Sequence, residues 1–339
     1  MKKYINNYPI PHYKSSIFDI YFRDMKPAIF DIETTGLSFN NSYVVLIGLL
    51  IPTSNGVKVI QFFAESPDEE FVILKACLEF IRENEIDYLI TFNGESFDIP
   101  FFNSRLNKND IKEKLDLYNY DLYKVIRYCS GIPSLIRPLT ERNLELYMGI
   151  DGLRDDSIDG RESAKLYFEY IRTMDQSLYK LILNHNTHDL LQLYRLLNLN
   201  MYSDIHMAMY KFGIPIKSIA TKIKSNISKN FLVINGKLIR CSNDLIAFPM
   251  LDQDLYINID SLSSSLEVRV PLQVHGRSLY IDLNKYDIEP LLFDRLSIDN
   301  LDGYVSDYLI LTNGSDKKYR EINSLSILIM NLIKNKYQL

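Results

Sequence analysis

The chain has 339 residues, of which 47% are hydrophobic and 24% are charged, and its formal net charge is −5. This length and composition are typical of an ordinary globular protein with a sizeable core and room for two domains. No apolar run is long enough to cross a membrane, and the start of the chain lacks the apolar segment of a signal peptide. The net charge gives no sign of nucleic-acid binding, so such binding would need a local basic surface.

The cysteines bear on the cellular compartment. The chain has three, Cys77, Cys129 and Cys241, which lie far apart and form no C-x-x-C pair. This pattern argues against a disulfide framework and a zinc knuckle, and it fits a reducing environment. The sequence therefore predicts a cytoplasmic protein.

The first part of the chain predicts a polar lead-in followed by a sheet. Residues 1–25 are polar and rich in Tyr, which predicts a loosely attached segment. Three apolar runs separated by turn sequences then predict an antiparallel meander of strands, in PAIFDIE, YVVLIGLLI and VKVIQFFA. Helical spacing predicts a helix over EEFVILKACLEFIREN, preceded by a capping box of Ser66 and Glu69.

The elements that follow alternate between strand and helix and then change character. The chain continues with a predicted strand in IDYLITFNG, a helix in SFDIPFFNSRLNK, and a strand leading into a helix in LYNYDLYKVI. Residues 135–200 are mostly helical in pattern, whereas strand-like runs and Gly turns dominate beyond them. We therefore expect a lead-in at 1–25, an α/β domain at 26–200, and a smaller β-rich module with a final helix at 201–339.

Two acids at the end of the first apolar strand give the first indication of chemistry. Asp31 and Glu33 lie two residues apart, so they share one face of a strand. Adjacent like charges repel each other, and a cation between them is the simplest reason to place them together. The alternative is a strand end that reaches solvent.

Further acids fall at matching places along the chain. Asp98 follows the predicted fourth strand, and Asp189 lies on a late helix in NHNTHDLLQLYRLL. The order strand-strand-strand-helix-strand-helix is that of a ribonuclease H-like core. Four carboxylates from distant parts of the chain could thus converge on two divalent ions.

These motifs resemble a known family. DIETTGL, the N-x-x-x-F-D pattern from Asn93 to Asp98, and the late helix with Asp189 resemble the DEDD superfamily of 3′–5′ exonucleases, most closely its YprB-type ribonuclease H-like branch. The segments TFNGESFDIPFF and LRDDSIDGRESAKLYFEYI are also similar to that branch. The resemblance covers about residues 25–200, and it implies an α/β fold with a ribonuclease H-like mixed sheet flanked by helices.

The resemblance also implies the roles of individual residues. Four carboxylates would hold two Mg²⁺ or Mn²⁺ ions: Asp31, Glu33, Asp98 and Asp189. Asp31 would bridge the two ions. Hard ions of this kind favour carboxylate oxygens, and a pair of them can stabilise charge on the attacking and leaving oxygens of a phosphodiester. Asn93 and Phe97 would hold the terminal nucleotide. The segment from Thr34 to Leu37 would meet the 3′ end, with Leu37 as an apolar wedge.

Simpler explanations exist for several of these residues. Phe97 could belong to the core, and Asn93 could serve the turn formed with Gly94. Asp98 could be an acid that favours the start of a helix. Three further acids are interpreted as a turn and the start of a helix, outside the catalytic set: Asp155, Asp156 and Asp159.

The last motif departs from the family pattern. One exonuclease branch has Tyr four residues before the final Asp, and another has His five residues before it. This chain has His185 four residues before Asp189, and Asn184 stands five before. Residues four apart share a helix face, so we expect His185 to orient or deprotonate the attacking water. The alternative is a polar residue at the start of a helix. His188 is expected to point elsewhere.

The sequence therefore predicts a metal-dependent 3′–5′ exonuclease that acts on single-stranded DNA or RNA and releases nucleoside 5′-monophosphates. One alternative is a nucleic-acid-binding or interaction module with weakened chemistry, favoured by the altered tyrosine position. Another is a structure-selective endonuclease on the same core. The presence of all four carboxylates favours an enzyme.

A basic stretch lies beyond the α/β domain. Residues 205–243 contain no acid but carry several basic residues, and the lysines Lys217, Lys222 and Lys224 stand close together within it. In a chain of net negative charge, this stretch predicts a groove that follows phosphates, to which Tyr210 and Phe231 could add base stacking. The alternative is a solvated surface of the second domain.

Overall fold

The computed structural model describes residues 1–153, 158, 160–239, 250–252, 255–260, 263–286 and 301–337. The chain divides into two compact units, each formed from two segments. The first unit comprises Met1–Ser15 and Asp24–Ser203, and the second comprises Ser16–Arg23 and Asp204–Leu339. The predicted fold class, an α/β mixed sheet flanked by helices and followed by a β-rich part, is confirmed.

A mixed sheet forms the centre of the first unit. Its described strands are β1 (Lys2–Tyr8), β2 (Pro27–Thr34), β3 (Val44–Thr53), β4 (Gly56–Phe63), β5 (Tyr88–Thr91) and β6 (Tyr118–Asp121). They lie in the order β1-β4-β3-β2-β5-β6. The pairs on the β1 side of β2 are antiparallel, as the predicted meander requires, whereas β2 pairs with β5 and β5 with β6 in parallel.

Helices cover both faces of this sheet. The described α-helices of the first unit are α2 (Glu70–Glu83), α3 (Asp98–Lys108), α4 (Leu122–Cys129), α5 (Glu141–Met148), α6 (Gly160–Thr173) and α7 (Gln176–Leu196). Phe30 and Ile32 of β2 pack in a core with residues of α2 and α3. Leu46 and Phe63 pack in another core with residues of α6 and α7. Successive side chains of a strand alternate between faces, so Asp31 and Glu33 lie opposite Phe30 and Ile32, on the side of α7.

The lead-in predicted at residues 1–25 is not loosely attached. Lys2–Tyr8 forms the edge strand β1, paired antiparallel with β4 along its whole length. Ser16–Phe22 forms α1, which buries Phe18, Tyr21 and Phe22 within the second unit. Most side chains of β1 are exposed or only half-buried, so its backbone ladder with β4 holds it in place. Such a strand has little hydrophobic pattern for sequence reasoning to detect.

The capping box predicted before α2 is also wrong. Ser66 makes no side-chain hydrogen bond to the helix start, and a 3₁₀ turn at Pro67–Glu69 precedes α2. The carboxylate of Glu69 instead accepts a hydrogen bond from the backbone N–H of Glu65, at 2.8 Å. The helix therefore begins about one turn later than the capping motif indicates. Its first residue is Glu70, which is buried.

The second unit is mainly antiparallel sheet. One described sheet has the order β10-β11-β12-β9-β8-β7, and the other has β13-β14-β16-β15 with β17 paired to β16. Its strands are β7 (Ile214–Ile216), β8 (Ala220–Ser228), β9 (Phe231–Leu238), β10 (Met250–Asp252), β11 (Leu255–Asp260), β12 (Ser265–Pro271), β13 (Gln273–His275), β14 (Ser278–Asp282), β15 (Tyr304–Val305), β16 (Tyr308–Asn313) and β17 (Asp316–Lys317). Its described helices are α1, α8 (Ile205–Phe212) and α9 (Tyr319–Tyr337). Within the described ranges, we find no helix of the length and apolar character that a membrane span needs.

Candidate active site

The end of β2 faces the middle of α7. The Asp31 Oδ2 atom accepts a hydrogen bond from the Asn186 side-chain amide at 2.7 Å. His185 Nε2 lies 3.7 Å from Glu33 Oε1 and 3.4 Å from Asp189 Oδ2. Since residues four apart share a helix face, α7 presents His185 and Asp189 together to β2. The candidate ligand atoms of Glu33, His185 and Asp189 all lie within 4.8 Å of one another.

Asp98 reaches the same strand from the other direction. It is the first residue of α3, and it is buried. Its Oδ1 atom is 3.4 Å from the backbone N–H of Ile32, the residue between the two acids of β2. Asp98 is therefore both an acid at the start of a helix and a neighbour of Asp31 and Glu33. The structure thus brings together the four predicted carboxylates and His185.

The electrostatics of this cluster are those of several acids held close together and largely buried. Burial raises the pKa of Glu33 to about 7, against the opposing effects of His185 and Ser163. Burial likewise raises the pKa of Asp98 to about 7. The pKa of Asp31 is raised well above its usual value, first by burial and then by repulsion from the other carboxylates. A bound divalent cation would offset this repulsion, and a set of carboxylate oxygens is a suitable donor set for Mg²⁺ or Mn²⁺.

A cavity of about 510 Å³ opens beside the cluster. Its lining includes Glu33 and three residues predicted to contact substrate, Thr34, Leu37 and Phe97. Leu37 is 75% exposed, so its side chain is available to a ligand. Phe97 is half-buried, and its ring centroid lies 5.4 Å from that of Phe101. Phe97 therefore belongs partly to the core and partly to the cavity wall.

Asn93 occupies a turn instead of the cavity wall. Its φ angle is 64°, in the left-handed region that Asn adopts more readily than most residues. The following Gly94 packs closely on Thr91, because a Cβ atom at Gly94 would lie 2.5 Å from the Thr91 side chain. The turn explanation thus accounts for the backbone of Asn93, and its contact with a nucleotide stays a prediction.

A buried ion pair holds the loop between β2 and β3. The guanidinium of Arg105 donates to both carboxylate oxygens of Glu70, at 2.8 and 2.7 Å. Glu70 also accepts the backbone N–H of Val44 at 2.8 Å, and Arg105 lies over the ring of Tyr43. The loop that carries Thr34 to Leu37 is therefore fixed at its far end by α2 and α3.

Sequence reasoning missed Asp121. This residue ends β6, and its carboxylate accepts the backbone N–H groups of Asn93 at 2.9 Å and Glu95 at 3.2 Å. It also caps α4 through the N–H of Lys124. The turn that leads to Asp98 is thus tied to the end of the neighbouring strand. An Asp just before a helical pattern signals an N-cap, but nothing in the sequence signals its bonds to the turn.

Two further contributors were also missed. Arg161, near the start of α6, lines the cavity. It follows a segment that the sequence predicts to be a turn. Asn186 donates a hydrogen bond directly to Asp31. The sequence gives only one indication of this role, which is that Asn186 is next to His185. Asp155, Asp156 and Asp159 lie outside the described residues.

The lysines predicted to contact substrate belong to the second unit. Lys217 follows β7 and is exposed, as is Lys224 on β8. Lys222 is half-buried and stands two residues from Lys224, so both lie on one face of the strand. Lys222 is directly opposite Lys237 of β9.

The aromatic neighbours differ in setting. Tyr210 packs against the ring of Tyr319 and accepts a hydrogen bond from Lys317. Phe231, at the start of β9, is 41% exposed. Arg240, which continues the basic stretch, lies outside the described residues.

The fold and the site agree with a family of known proteins. A family model of the RNase_H superfamily matches residues 28–200, slightly more than half of the chain. The chain belongs to this superfamily. Ribonuclease H-like nucleases generally use divalent metal ions, and the neighbouring carboxylates of Glu33 and Asp189 fit that chemistry. Family membership and the acidic cluster together support a nuclease.

Individual relatives are similar over part of their length. The protein YprB of Bacillus subtilis is 29% identical over 176 residues, which cover 48% of this chain and 39% of YprB. A DNA polymerase of Pyrococcus glycovorans is 30% identical over 141 residues, which cover 33% of this chain and 18% of the polymerase. The chain thus spans less than half of either relative. The predicted similarity to YprB-type ribonuclease H-like proteins is confirmed.

A solved structure of a family B DNA polymerase from Pyrobaculum calidifontis aligns over 92% of this chain and 47% of its own, with a TM-score of 0.42 and 13% identity.

Proposed function

We propose that this protein is a metal-dependent 3′–5′ exonuclease that hydrolyses single-stranded DNA or RNA to nucleoside 5′-monophosphates. The observation that carries the proposal is the clustering of the carboxylates of Asp31, Glu33, Asp98 and Asp189. His185 lies beside two of them, Glu33 and Asp189. The adjoining cavity supports an exonuclease in particular. It is walled by the exposed Leu37 and the ring of Phe97, which suit a single terminal base.

The four carboxylates are the proposed ligands of two divalent ions, Mg²⁺ or Mn²⁺. Such ions supply stabilisation of charge on the attacking and leaving oxygens, and they lower the pKa of bound water. The chain's own residues orient the substrate. Leu37 and Phe97 enclose the terminal base, and Arg161 offers a positive charge to a phosphate at the cavity wall.

His185 is proposed to orient the attacking water and to accept its proton. Its Nε2 atom lies between two carboxylates, which would stabilise the imidazolium after proton transfer. Its position four residues before Asp189 is the one that Tyr occupies in one exonuclease branch.

The decisive experiment is digestion of 5′-labelled DNA and RNA oligonucleotides with Mg²⁺ or Mn²⁺. We expect a ladder that shortens by one nucleotide at a time from the 3′ end, and comparison of the two substrates gives the preference between DNA and RNA. Internal cuts at a structural junction would indicate an endonuclease instead. Tight binding without any cleavage would indicate a non-catalytic module.

The role of His185 is tested by His185→Ala in single-turnover cleavage. We expect the cleavage rate to fall about 10²–10⁴-fold, the usual contribution of general acid–base catalysis, with little change in substrate affinity. His188→Ala is the matched control, because His188 lies on the same helix without a proposed role. Equal rates for His185→Ala and the wild type would remove His185 from the mechanism.

The basic residues of the second unit are proposed to bind the phosphate backbone. Lys222 and Lys224 share a face of β8, and Lys217 adds an exposed charge nearby in sequence. Lys222 stands opposite Lys237, and a polyanion over this face would relieve the repulsion between like charges. The alternative, a solvated surface, predicts no effect of these lysines on binding.

Salt dependence separates these two explanations. Each phosphate contact on a single strand contributes about −0.7 to the slope of log K against log salt. Replacing Lys217, Lys222 and Lys224 together by Gln should flatten this slope and raise the Kd, with the rate of bound substrate unchanged. An unchanged slope in the triple variant would place the phosphate-binding surface elsewhere.

A further inference from the structure

A polar row crosses the sheet directly beneath α7. Asp31 of β2 is opposite Gly48 of β3, and Gly48 is opposite Gln61 of β4. Residues paired in this way across neighbouring strands place their side chains on one face. The middle residue of the row, Gly48, has no side chain. The sheet surface therefore has a gap between the carboxylate of Asp31 and the side-chain amide of Gln61.

Asn186 of α7 occupies this gap. A Cβ atom at Gly48 would lie 2.2 Å from Asn186 Oδ1 and 2.8 Å from Leu190 Cδ1. Real Cβ atoms do not approach other atoms this closely, so Gly48 is what lets the helix place an amide here. Asn186 has no solvent-exposed surface, and Gln61 is 1% exposed.

Hydrogen bonding fixes the direction in which the Asn186 amide points. Gln61 Nε2 donates to the carbonyl oxygen of Leu183 at 2.8 Å, and a carbonyl can only accept. The same NH₂ group donates to Asn186 Oδ1 at 2.8 Å. The NH₂ group of Asn186 is therefore left for Asp31, and it donates to Asp31 Oδ2 at 2.7 Å.

We propose that Asn186, oriented by Gln61 across Gly48, is a positioning residue that fixes the Asp31 carboxylate for metal binding. This inference rests on the proposed function, because it assigns Asp31 to a metal. A carboxylate at a strand end can rotate, and a bond to one oxygen holds the other in a single direction. Partners of this kind that hold metal ligands typically change metal affinity or activity by about 10–100-fold when they are replaced.

The competing explanation is that the amides only fill the core between α7 and the sheet. Gln192 provides a matched comparison for that explanation. It is a fully buried amide on the same helix, and it bonds to Ile150 and Glu145 instead of to the acids of β2. Replacing Gln192 should lower stability about as much as replacing Gln61 does. It should leave the Asp31 carboxylate in its position.

The experiment compares the wild type with Asn186→Leu, Gln61→Met and Gln192→Met. Leu keeps most of the volume of Asn186 but has no donor, and Met keeps most of the volume of Gln. Binding of Mn²⁺ is measured by the electron paramagnetic resonance signal of the free ion. Cleavage of the oligonucleotide is measured at saturating Mn²⁺ and substrate, and the melting temperature is measured in EDTA.

We expect Asn186→Leu to raise the Kd for Mn²⁺ by about 10–100-fold and Gln61→Met to raise it by a smaller factor in the same direction. Gln192→Met should keep the wild-type Kd at a comparable loss of melting temperature. Gly48→Ala gives an independent test, since its Cβ displaces Asn186 and should reproduce the weaker Mn²⁺ binding.

The outcomes distinguish this inference from the proposed function. Wild-type affinity for Mn²⁺ in folded Asn186→Leu and Gln61→Met, with normal cleavage, overturns the positioning role and leaves the exonuclease intact. Equal weakening by Gln192→Met also overturns it, because the effect would then be one of core packing. A wild-type protein that neither binds Mn²⁺ nor cleaves nucleic acid overturns the proposed function and this inference with it.

Discussion

Two groups of buried acids in the first unit have opposite surroundings. Glu70 is paired with both arms of the Arg105 guanidinium and accepts two further N–H groups, from Val44 and Asn109. Asp31 is half-buried, and the charged groups that raise its pKa are other carboxylates. The chain thus supplies the cation for one group, and the other is arranged to receive a cation from outside. A buried acid that is paired with a guanidinium supports structure, whereas a cluster of acids whose pKa values are raised by burial and mutual repulsion indicates a binding site.

The largest loss of activity should come from removing acids of the cluster. Asp31→Ala and Asp98→Ala should each abolish cleavage, because each removes a proposed metal ligand. Both variants should stay folded in EDTA, since the lost hydrogen bonds are offset by relief of the repulsion among the clustered carboxylates. The measurements are single-turnover cleavage and thermal unfolding. Full cleavage activity in either variant, or in the wild type with excess EDTA, would contradict the metal assignment.

Breaking the structural pair should affect stability instead. Arg105→Met leaves Glu70 buried and without its cation, which should lower the free energy of unfolding by about 3–5 kcal/mol. Arg82→Met is the control, because the Arg82–Glu113 pair is exposed and should contribute only about 0–1 kcal/mol. Urea unfolding gives both values. A loss at Arg105 no larger than the loss at Arg82 would mean that the buried pair adds little to this fold.

Added metal should stabilise the folded protein by an amount that depends on pH. Glu33 and Asp98 both have a pKa of about 7 in the folded protein without metal, above the ordinary values of 4.5 and 3.8. The folded state therefore holds protons that the unfolded chain has already lost. The stability due to these groups is complete at low pH and declines as the pH rises toward about 7.

Mn²⁺ replaces these protons, so its stabilising effect should grow with pH. At a concentration of about 100 times the Kd, Mn²⁺ should add about 2.7 kcal/mol at neutral pH and clearly less at about pH 5.5. Thermal unfolding with and without Mn²⁺ measures the difference. Asp98→Asn should lose most of the effect, and a shift that is independent of pH would argue against binding at this cluster.

A smaller effect is expected at Asp121, a buried acid whose carboxylate accepts backbone N–H groups of the turn before Asp98. Asp121→Asn keeps one acceptor but presents an NH₂ group to a backbone N–H of the turn before Asp98. We expect about a tenfold loss of cleavage rate with little loss of substrate binding. Asp116→Asn, at an exposed carboxylate just before β6, is the control. Equal rates for the two variants would show that the turn needs no such support.

The sequence was sufficient to predict the frame of the site. Long apolar runs marked β2 and β3, and the acids of DIETTGL, Asp98 and Asp189 stood in the order that a ribonuclease H-like core uses. Residues two apart on a strand or four apart on a helix share a face whatever the rest of the fold does. Asp31 with Glu33, and His185 with Asp189, could therefore be paired by periodicity alone.

The remaining contacts depend on how distant strands and helices align. Asn186 lies 155 residues from Asp31 and 125 from Gln61, and its place depends on a glycine that looks unremarkable within an apolar strand. Asp121 meets Asn93 only because β5 and β6 run in parallel and end at the same edge. The edge strand β1 was missed for a related reason, because backbone pairing with β4 holds it and leaves no pattern in its side chains.

The path of the chain has a consequence for synthesis on the ribosome. Helix α1, with its buried Phe18, Tyr21 and Phe22, belongs to the second unit, although it emerges before almost all of the first. The Tyr21 hydroxyl meets His206, and Asn323 donates to it from near the end of the chain. The first unit can therefore fold during translation, whereas α1 must wait with its apolar face uncovered until the last helix has been made. A chain truncated after Ser203 would keep α1 without the core that covers it, so that fragment should aggregate where the intact chain does not.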